Sequence, residues 1–400
     1  MRTPELHTIT ATEMRAINRS AILELIRTAG PLSRTDIGSR LQVSLPTVMR
    51  IVDDLVEEGL ARPSSIREWT GGRKRALVEF NGSSQLVIGL DLGGTKLYGA
   101  VVDLSGQIRH EITHEQHKTQ ADESFLLIGS MIDELLGWAN GLGIKVLGIG
   151  VGVPGVVQPA SGLVDLAPSL DWSGYPLTQK LASRFQYPIV IENDVNLAAL
   201  GEAWFGAGTA RQNLVLIAIG TGIGAGVVID GAIFPGAHAM AGEIGYLLPD
   251  RSNLGQSFPR FGALESLASG TGIAARARQA SKGQIPDEAL ERLTTEDVFT
   301  AGRNGKAWAL PILADTVDYL AQSIAAINQI LDPELILLGG GVARSADLLI
   351  EPILNRLRGT LPRLPRLEAS RLGVRAGVMG SIIQLLRVTS NHYQLHRFGI

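Results

Sequence analysis

The chain has 400 residues, a length that suits two or three domains of ordinary size. Its composition, with 45% apolar and 19% charged residues, excludes a disordered protein and a coiled coil. Because the sequence contains no cysteine, it also excludes disulfide bonds, cysteine-ligated zinc, iron–sulfur clusters and a thiol nucleophile. The net charge of -3 gives no overall attraction to nucleic acid. No export or membrane segment is visible, so we expect a cytoplasmic protein.

Charge and composition change near residue 81. Residues 1–80 contain 12 Lys and Arg against 10 Asp and Glu, whereas the rest of the chain is acidic. The polar, turn-forming stretch 81–84 separates the two parts. Beyond it the sequence is rich in glycine and in predicted strands. We therefore expect one domain over residues 1–81 and a second over residues 82–400.

The first 80 residues predict three helices and a hairpin. Apolar residues recur at helical spacing, and cap and turn residues separate the segments. The predicted elements are helices over 15–28, 33–41 and 45–58 and strands over 60–66 and 76–80. Two short helices joined by a tight turn are the helix-turn-helix arrangement.

Two parts of this region have the composition of a DNA-binding surface. The third helix begins with side chains that suit base edges and phosphates in the major groove, namely Ser44, Pro46, Thr47 and Arg50. The hairpin tip combines two glycines with the basic residues Arg73, Lys74 and Arg75. The region resembles a winged helix-turn-helix domain of a bacterial repressor, which implies operator DNA as a partner. The alternative is a helical protein-interaction module with a solvated basic loop.

A first glycine-rich loop follows the domain boundary. An apolar strand leads to Asp91, and a turn then contains Gly93, Gly94, Thr95 and Lys96. Its backbone N–H groups suit an anion, and Asp91 can hold Mg²⁺ directly or through water. It is not a Walker loop, because no GxxxxGK[ST] run occurs and a second strand follows in place of a helix.

A second loop of the same kind lies much further along the chain. A strand, a turn with Gly220, Thr221 and Gly222, and another strand follow one another. Two such loops predict two related lobes that face one nucleotide. Matches to GxGxxG at 150–155 and 220–225 are poor candidates for a dinucleotide site, because neither opens a helix.

Between the two loops, a predicted strand ends in the polar pair Asn193 and Asp194. Either side chain can cap the helix that follows. Asp194 can also serve as a general base for a substrate hydroxyl in phosphoryl transfer, at a strand end where ligands gather in open sheets. Both interpretations of Asp194 stay open on the residues alone.

A cluster of histidines is the one candidate metal group outside these loops. His110, His114 and His117 would converge in a helix, but in a strand His117 would face away from the other two. We therefore favour a solvated face over a metal site.

Five motifs in order, together with the apolar strands around them, carry a family resemblance. They lie at 91–96, 152–155, 192–196, 220–224 and 338–343. Residues 86 to about 388 resemble the ROK family of sugar kinases and sugar-responsive repressors. The resemblance implies an α/β, two-lobed, actin-like and hexokinase-like ATPase fold. With the N-terminal winged helix, the whole chain resembles a ROK transcriptional regulator.

The resemblance implies roles for particular residues. The two glycine loops would hold ATP phosphates, and Gly339 and Gly340 would border the adenosine. Asn193 would bind a sugar hydroxyl, and Asp194 would be the base for the hydroxyl that is phosphorylated. The other sugar hydroxyls would be bound by Glu243 and Glu265, with Tyr246 beside them.

Two departures from the family pattern concern its structural zinc. Tyr246 stands where the family has a histidine ligand, and the stretch 251–265 contains none of the family's cysteines. A phenol does not replace an imidazole as a zinc ligand, so we expect no zinc. The loop would be held instead by Phe258, Pro259 and Phe261. Ser169 stands where the family often has asparagine, which leaves the identity of the sugar open.

The resemblance implies a DNA-binding transcription regulator, of the repressor type, for carbohydrate-utilisation genes. A sugar or sugar phosphate would bind between the lobes, the protein would be a homodimer or homotetramer, and DNA binding would need no cofactor. The alternative is a sugar kinase that uses ATP and Mg²⁺, with Asp194 as general base. A third interpretation is a regulator that senses ATP or sugar through protein partners without DNA.

Overall fold

The computed structural model describes residues 10–70, 73–116, 121–209, 211–258 and 262–389. The chain runs from a small helical domain with a three-stranded sheet into two lobes, each built on a five-stranded sheet. Within the described ranges, no helix is both long and apolar enough to cross a lipid bilayer.

The N-terminal region folds as a winged helix domain. Its elements are α1 (Ala11–Ala29), β1 (Leu32–Ser33), α2 (Arg34–Leu41), α3 (Leu45–Glu57), β2 (Ala61–Thr70) and β3 (Arg73–Phe80). Ser33 caps α2, because its side chain accepts a hydrogen bond from the Asp36 N–H. Strand β3 lies between β1 and β2 and is antiparallel to both. This arrangement confirms the predicted winged helix-turn-helix.

The small sheet differs from the sequence expectation in two respects. Strand β2 continues past the expected end at 66 and ends at Thr70. Strand β3 begins at Arg73, before the expected start at 76. The charged residues between 67 and 75 gave no apolar alternation, which is the signal for a half-buried strand. The two-residue strand β1, which pairs Leu32 with Val78, is too short for any periodicity to predict it.

The first lobe begins after the expected domain boundary, with Phe80 ending β3 and Gln85 starting the next strand. Its elements are β4 (Gln85–Leu92), β5 (Lys96–Asp103), β6 (Ile108–Glu115), α4 (Ala121–Asn140), β7 (Lys145–Val153), β8 (Val156–Val157), β9 (Val164–Ala167), β10 (Trp172–Tyr175), α5 (Leu177–Arg184) and β11 (Ile189–Asn193). The main sheet has the order β11-β7-β4-β5-β6. Strands β4 to β6 form an antiparallel meander, and β7 and β11 add parallel to β4.

The second lobe repeats this topology. Its elements are α6 (Asp194–Phe205), β12 (Leu214–Ile219), β13 (Ile223–Ile229), β14 (Ala232–Ile233), α7 (Ala263–Ala268), α8 (Gly270–Ala280), α9 (Asp287–Arg292), α10 (Thr295–Arg303), α11 (Ala309–Leu331), β15 (Leu335–Gly339), α12 (Ile350–Leu357), β16 (Leu367–Ala369) and α13 (Ala376–Thr389). The sheet order is β14-β13-β12-β15-β16, again an antiparallel meander with two parallel strands beside its first strand. The repeat confirms the prediction of two related lobes.

Two helices are exchanged between the lobes. Helix α6 follows a strand of the first lobe but packs on the second sheet, where Gly226 leaves room for Ala199. Helix α13 follows the second sheet but packs on the first, where Gly150 leaves room for Ser381. The lobes are therefore joined through helices that each belong to both.

Helices α6 and α13 pack closely against each other at glycines. A Cβ atom on Gly201 of α6 would collide with the carbonyl oxygen of Ala376, and one on Gly380 of α13 would collide with that of Leu197. Since no larger residue fits at either position, the two backbones approach directly. We therefore expect a shift of one helix to displace the other.

The winged helix domain shares an apolar core with the first lobe and α13. One continuous cluster of buried side chains combines α1 and α3 with β4, β5 and α13, and includes Ile22, Ile26, Leu55, Val87, Val102 and Met379. The domain is therefore docked on the lobe through buried apolar surface.

Candidate functional site

The polar ends of three neighbouring strands meet at one edge of the first sheet. In the strand register, Asp91 of β4 lies beside Gly152 of β7, and Gly152 lies beside Glu192 of β11. Asn193 and Asp194 follow at the junction of β11 and α6. A Cβ atom on Gly152 would lie 3.5 Å from Asp91 Oδ1 and 3.4 Å from Asp194 Cα, so this glycine separates the two carboxylate residues.

Asn193 is the residue that caps α6. Its Oδ1 accepts a hydrogen bond of 2.9 Å from the Asn196 N–H, and its Nδ2 donates one of 2.9 Å to the Gly155 carbonyl oxygen. Among the described residues, the Asp194 carboxylate accepts from nearby backbone N–H groups alone, with that of Val195 donating to Oδ1 at 2.9 Å. Since the cap is supplied by Asn193, most acceptor capacity of the Asp194 carboxylate is left for a ligand.

Glu192 holds Asn193 and the first turn of α6 in place by hydrogen bonds, a role that the sequence analysis did not predict. Its Oε1 accepts hydrogen bonds from the Asn193 N–H at 2.9 Å and from Asn196 Nδ2 at 3.1 Å. Burial raises the pKa of Glu192 above its usual value. The only sequence signal was its place in the motif at 192–196, because its burial depends on the tertiary fold.

Acidic groups from both lobes influence one another across the cleft. Burial raises the pKa of Asp91, and the Asp194 carboxylate raises it further. Burial, and then Glu243, also raise the pKa of Asp194. Burial raises the pKa of Glu265 to about 7, with Glu243 adding to the effect. Burial, Glu243 and Glu265 raise the pKa of Tyr246. These shifts link Asp91 to Asp194, Asp194 to Glu243, and Glu243 to Glu265 and Tyr246, and carboxylates supply the acceptors that hydroxyl groups need.

Glycines of the second lobe make the space for the Glu265 carboxylate. A Cβ atom on Gly222 would lie 3.1 Å from Glu265 Oε1, and one on Gly245 would lie 2.7 Å from Oε2. Tyr246 ends the short 3-10 turn Ile244–Tyr246 and is 48% exposed at the mouth of the cleft. The second glycine loop thus adjoins the acidic cluster directly.

The two glycine loops face each other across the cleft. A Cβ atom on Gly94 would lie 3.2 Å from Thr221 Oγ1, so the loops approach at van der Waals distance. Gly94, Thr95 and Lys96 are exposed there. Gly340, with φ +76°, lies against the Ile219 carbonyl oxygen, which places the predicted adenosine loop beside the second glycine loop.

The residues at the loops fit a Mg²⁺-bound nucleotide phosphate, but they do not fit zinc at Tyr246. Mg²⁺ is usually bound by one or two carboxylates besides the phosphates, and Asp91 lies near the end of the strand that leads into the first glycine loop. The chain has no cysteine, and Tyr246 offers a phenol in place of the histidine. No group of three or more His, Asp or Glu suited to a metal occurs in the described parts of the chain. The absence of zinc stays a prediction, because Pro259 and Phe261 of the loop lie outside the described residues.

The histidines of β6 pack against α4. His110 stacks on Trp138 with ring centroids 4.8 Å apart, and His114 Nε2 lies 3.5 Å from Glu134 Oε2. Both residues are half-buried, and the His114 side chain is 40% exposed, so this face is partly solvated. His117 lies outside the described residues.

The predicted DNA-contacting residues of α3 lie at its N-terminus. Ser44, Pro46 and Arg50 are exposed and Thr47 is half-buried. The Ser44 and Thr47 hydroxyls form a hydrogen bond of 2.8 Å with each other. Arg73 and Lys74 begin β3, where their backbones pair with Thr70 and Trp69 of β2.

Arginines of neighbouring helices pair with Asp53 and Asp54 in the C-terminal half of α3. Arg15 pairs with Asp54 at 2.6 Å, and Arg34 pairs with Asp53 at 2.7 Å. Arg19 pairs likewise with Glu58 just after the helix. Arg50 forms no ion pair with any residue that the structure describes, so its charge is available for phosphate or base.

A tryptophan at the end of α6 joins this domain to the cleft. The Arg27 guanidinium of α1 lies 5.4 Å from the Trp204 ring centroid, and that of Arg387 in α13 lies 5.7 Å from it. Arg387 also donates a 2.5 Å hydrogen bond to the Gly231 carbonyl oxygen, and burial lowers its pKa to about 10. Helix α6 therefore runs from Asp194 in the cleft to a cation–π contact with the winged helix.

Comparisons with known proteins agree with this architecture. The sequence model of the ROK family matches residues 87–387, and that of the MarR family matches residues 17–62. The xylose repressor of Caldicellulosiruptor bescii is 28% identical over 94% of this chain and 96% of its own length. A glucokinase of Halalkalibacterium halodurans is 34% identical over 74% of this chain and 94% of its own length.

Among solved structures, a crystal structure of a ROK family transcriptional regulator, described as a homologue of the E. coli MLC protein, has the same fold. It superposes with a TM-score of 0.82 at 24% identity and covers 96% of this chain and 99% of its own. The repressor and this regulator span both domains, whereas the glucokinase covers only three quarters of the chain. The chain belongs to the ROK family and carries a MarR-type winged helix at its N-terminus.

Proposed function

We propose that this chain is a sugar-responsive transcriptional repressor of carbohydrate-utilisation genes. The observation that carries the proposal is the docking of a winged helix domain on a sugar-kinase-like lobe through one shared apolar core. The xylose repressor that matches 94% of the chain supports the same combination of a DNA-binding part and a sugar-binding part.

The effector that suits the cleft best is an uncharged sugar. Asn193, Asp194, Glu243, Glu265 and Tyr246 would bind its hydroxyl groups, since carboxylates accept the hydrogen bonds that hydroxyls donate. The phosphate of a sugar phosphate is negatively charged and would be repelled by the four carboxyl groups of this region. It would therefore have to lie at the glycine loops.

The effector signal would travel along α6. The helix has 12 residues, which is about 18 Å, and its two ends lie at the cleft and at the winged helix. A sugar that binds the closed arrangement of the lobes more tightly shifts the population toward it. The shift would move Trp204 against Arg27 and change how the winged helix domain is held.

Operator recognition would use a homodimer or homotetramer in the cytoplasm. Two winged helices related by a two-fold axis fit half-sites about one turn of DNA apart, and a changed spacing then weakens binding. DNA binding itself would need no cofactor.

The test is a binding-site selection with the full chain on random duplex DNA, followed by titration of the selected duplex with a panel of pentoses, hexoses and their phosphates. We expect an enriched inverted repeat and one sugar class that weakens its binding. Glu243→Gln should lose the sugar response and keep DNA binding. Enrichment of no sequence would contradict the DNA-binding half, and insensitivity to every sugar would contradict the effector half.

A second candidate function, an ATP-dependent sugar kinase, is favoured by Asp194. Its carboxylate faces the cleft and is not used up as a helix cap. Asp194 would accept the proton of the sugar hydroxyl that attacks, and its raised pKa would suit a base near neutral pH. The nucleotide would be held by Asp91, Gly93, Gly94, Thr95, Lys96, Gly220, Thr221, Gly222, Gly339 and Gly340. When bound, ATP with Mg²⁺ supplies the phosphoryl group and neutralises its charge.

An assay of ADP release across the same sugar panel separates the two functions. A kinase would release ADP with one sugar class, and Asp194→Asn would abolish the release. A repressor without kinase activity would release none, while its DNA binding still responds to that sugar.

A further inference from the structure

The recognition helix α3 exposes two apolar side chains on its outer face. Leu45 is 45% exposed and Met49 is 48% exposed. Residues four positions apart lie on the same side of a helix, so the two form one patch beside the exposed Arg50. The stripe that faces the domain core is separate and consists of Val48, Ile51, Val52 and Leu55.

Charge indicates that the N-terminal half of α3 meets the DNA. Two carboxylates of the C-terminal half are held by arginines of α1 and α2, in the Arg34–Asp53 and Arg15–Asp54 pairs. Arg50 keeps a free charge on the half that carries Leu45 and Met49. A recognition helix places its N-terminal residues against the base edges, so this apolar patch would face bases.

The polar side chains at this end are partly occupied. The Ser44 and Thr47 hydroxyls bond to each other at 2.8 Å, which removes one donor and one acceptor from base readout. The apolar pair and Arg50 are then the main reading groups of the first two turns.

The chemistry of the major groove assigns the base that such a patch prefers. Thymine alone presents a methyl group there, whereas the other bases present mainly hydrogen-bonding groups. A leucine or methionine placed over a polar edge would remove it from water without a hydrogen bond in return. We propose that Leu45 and Met49 read thymine methyl groups in the operator half-site. This inference rests on the proposed DNA-binding function.

The experiment removes single methyl groups from the DNA. In the duplex obtained by binding-site selection, each thymine is replaced in turn by deoxyuridine, which lacks only the 5-methyl group. We expect one or two positions per half-site at which the full chain binds about threefold to fivefold more weakly, as the loss of one buried methyl group predicts. At these positions Met49→Ala or Leu45→Ala should bind thymine and uracil duplexes equally well.

A matched control is Met240→Ala, since Met240 is 49% exposed but lies in the second lobe. This variant should keep the full preference for thymine. A selected duplex that tolerates uracil at every position would overturn the inference, as would a uracil penalty that persists in both Met49→Ala and Leu45→Ala. If selection enriches no duplex at all, the DNA-binding function itself fails, and the methyl readout fails with it.

Discussion

The guanidinium carbon of Arg27 lies 5.4 Å from the ring centroid of Trp204, so a cation of the winged helix domain stacks on the last turn of α6. Arg387 of α13 approaches the same ring at 5.7 Å. Helix α6 begins at Asp194 in the cleft and packs against α13 at Gly201 and Gly380. The Trp204 ring, near the other end of α6, therefore connects the cleft and both lobes with the winged helix domain.

Replacing Trp204 by leucine should uncouple sugar binding from DNA binding. Leucine keeps apolar packing but removes the face that attracts both guanidinium groups, each worth roughly 0.5–2 kcal/mol. We expect sugar affinity to stay within about threefold, and the effect of sugar on DNA affinity to fall by up to about tenfold, since about 1.4 kcal/mol corresponds to tenfold. Fluorescence anisotropy of labelled operator with and without sugar measures both quantities.

The control for this variant is Trp138→Leu, because Trp138 is also half-buried but stacks on His110 in the first lobe. It should leave the sugar effect unchanged. A Trp204→Leu protein whose DNA binding responds to sugar as strongly as the unmodified chain would show that the signal takes another route.

Glu265→Gln should stabilise the protein in a pH-dependent way. The carboxyl has a pKa of about 7 in the folded chain against 4.5 as its ordinary value, with burial as the main cause. Between these values the folded state binds more protons than the unfolded state, so the unfolding free energy falls as pH rises. Glutamine removes this dependence.

We therefore expect Glu265→Gln and the unmodified chain to differ least near pH 4.5 and most near pH 8, where the variant gains on the order of 1 kcal/mol after allowance for solvent at the half-buried site. Thermal unfolding of both proteins across this range measures the difference. A difference that stays constant with pH would mean that Glu265 titrates normally.

Gly155→Ala should damage both the fold and the sugar site. Gly155 has φ +98°, and a Cβ atom there would collide with the Leu166 carbonyl oxygen. Its own carbonyl accepts the hydrogen bond from Asn193 Nδ2, so a backbone shift would misplace Asn193. We expect a loss of at least about 2 kcal/mol in urea unfolding and weaker sugar binding.

Gly174→Ala is the matched control for this change. Gly174 also has a positive φ, +61°, but a Cβ atom there would meet nothing within 4 Å. It should cost only about 1 kcal/mol, the ordinary penalty for a left-handed residue, and leave sugar binding intact. Equal losses in the two variants would show that the collision at Leu166 is relieved without consequence.

The two lobes were predictable because each glycine loop is a strand–turn–strand unit of neighbouring residues. The exchange of α6 and α13 between the lobes was not, since it depends on close packing at Gly201 and Gly380, which no local pattern reveals. The cation–π contact between Arg27 and Trp204 could not be predicted from the sequence for the same reason. Local signals specify elements, and long-range packing specifies how they meet.

At the site, the sequence predicts that Asn193 and Asp194 lie together, but it does not show which of them caps α6 and which is left for a ligand. Asn193 takes the cap because its Oδ1 accepts from the Asn196 N–H within the first turn, while its Nδ2 is fixed by a tertiary partner, the Gly155 carbonyl. In the sequence, Glu192 does not differ from an exposed acid at a strand end. Its role in holding Asn193 depends on its burial in the folded chain.

The purified protein should contain substoichiometric zinc, and a chelator should leave its melting temperature unchanged. A structural zinc contributes directly to folding free energy, so its removal would lower that temperature. The chain has no cysteine and offers Tyr246 in place of the family's histidine. One zinc per chain by elemental analysis would contradict this expectation.

Arg50→Ala should weaken operator binding by about tenfold, the loss expected for one good Arg contact to a base or phosphate. Arg50 forms no ion pair among the described residues, whereas Asp53 and Asp54 further along α3 are already paired with arginines. If Arg50 binds a phosphate, the slope of log affinity against log salt should also decrease by about one. Arg344→Ala, at an exposed arginine of the second lobe, serves as control and should change neither quantity. Unchanged operator affinity of Arg50→Ala at every salt concentration would mean that another face of the winged helix domain meets the DNA.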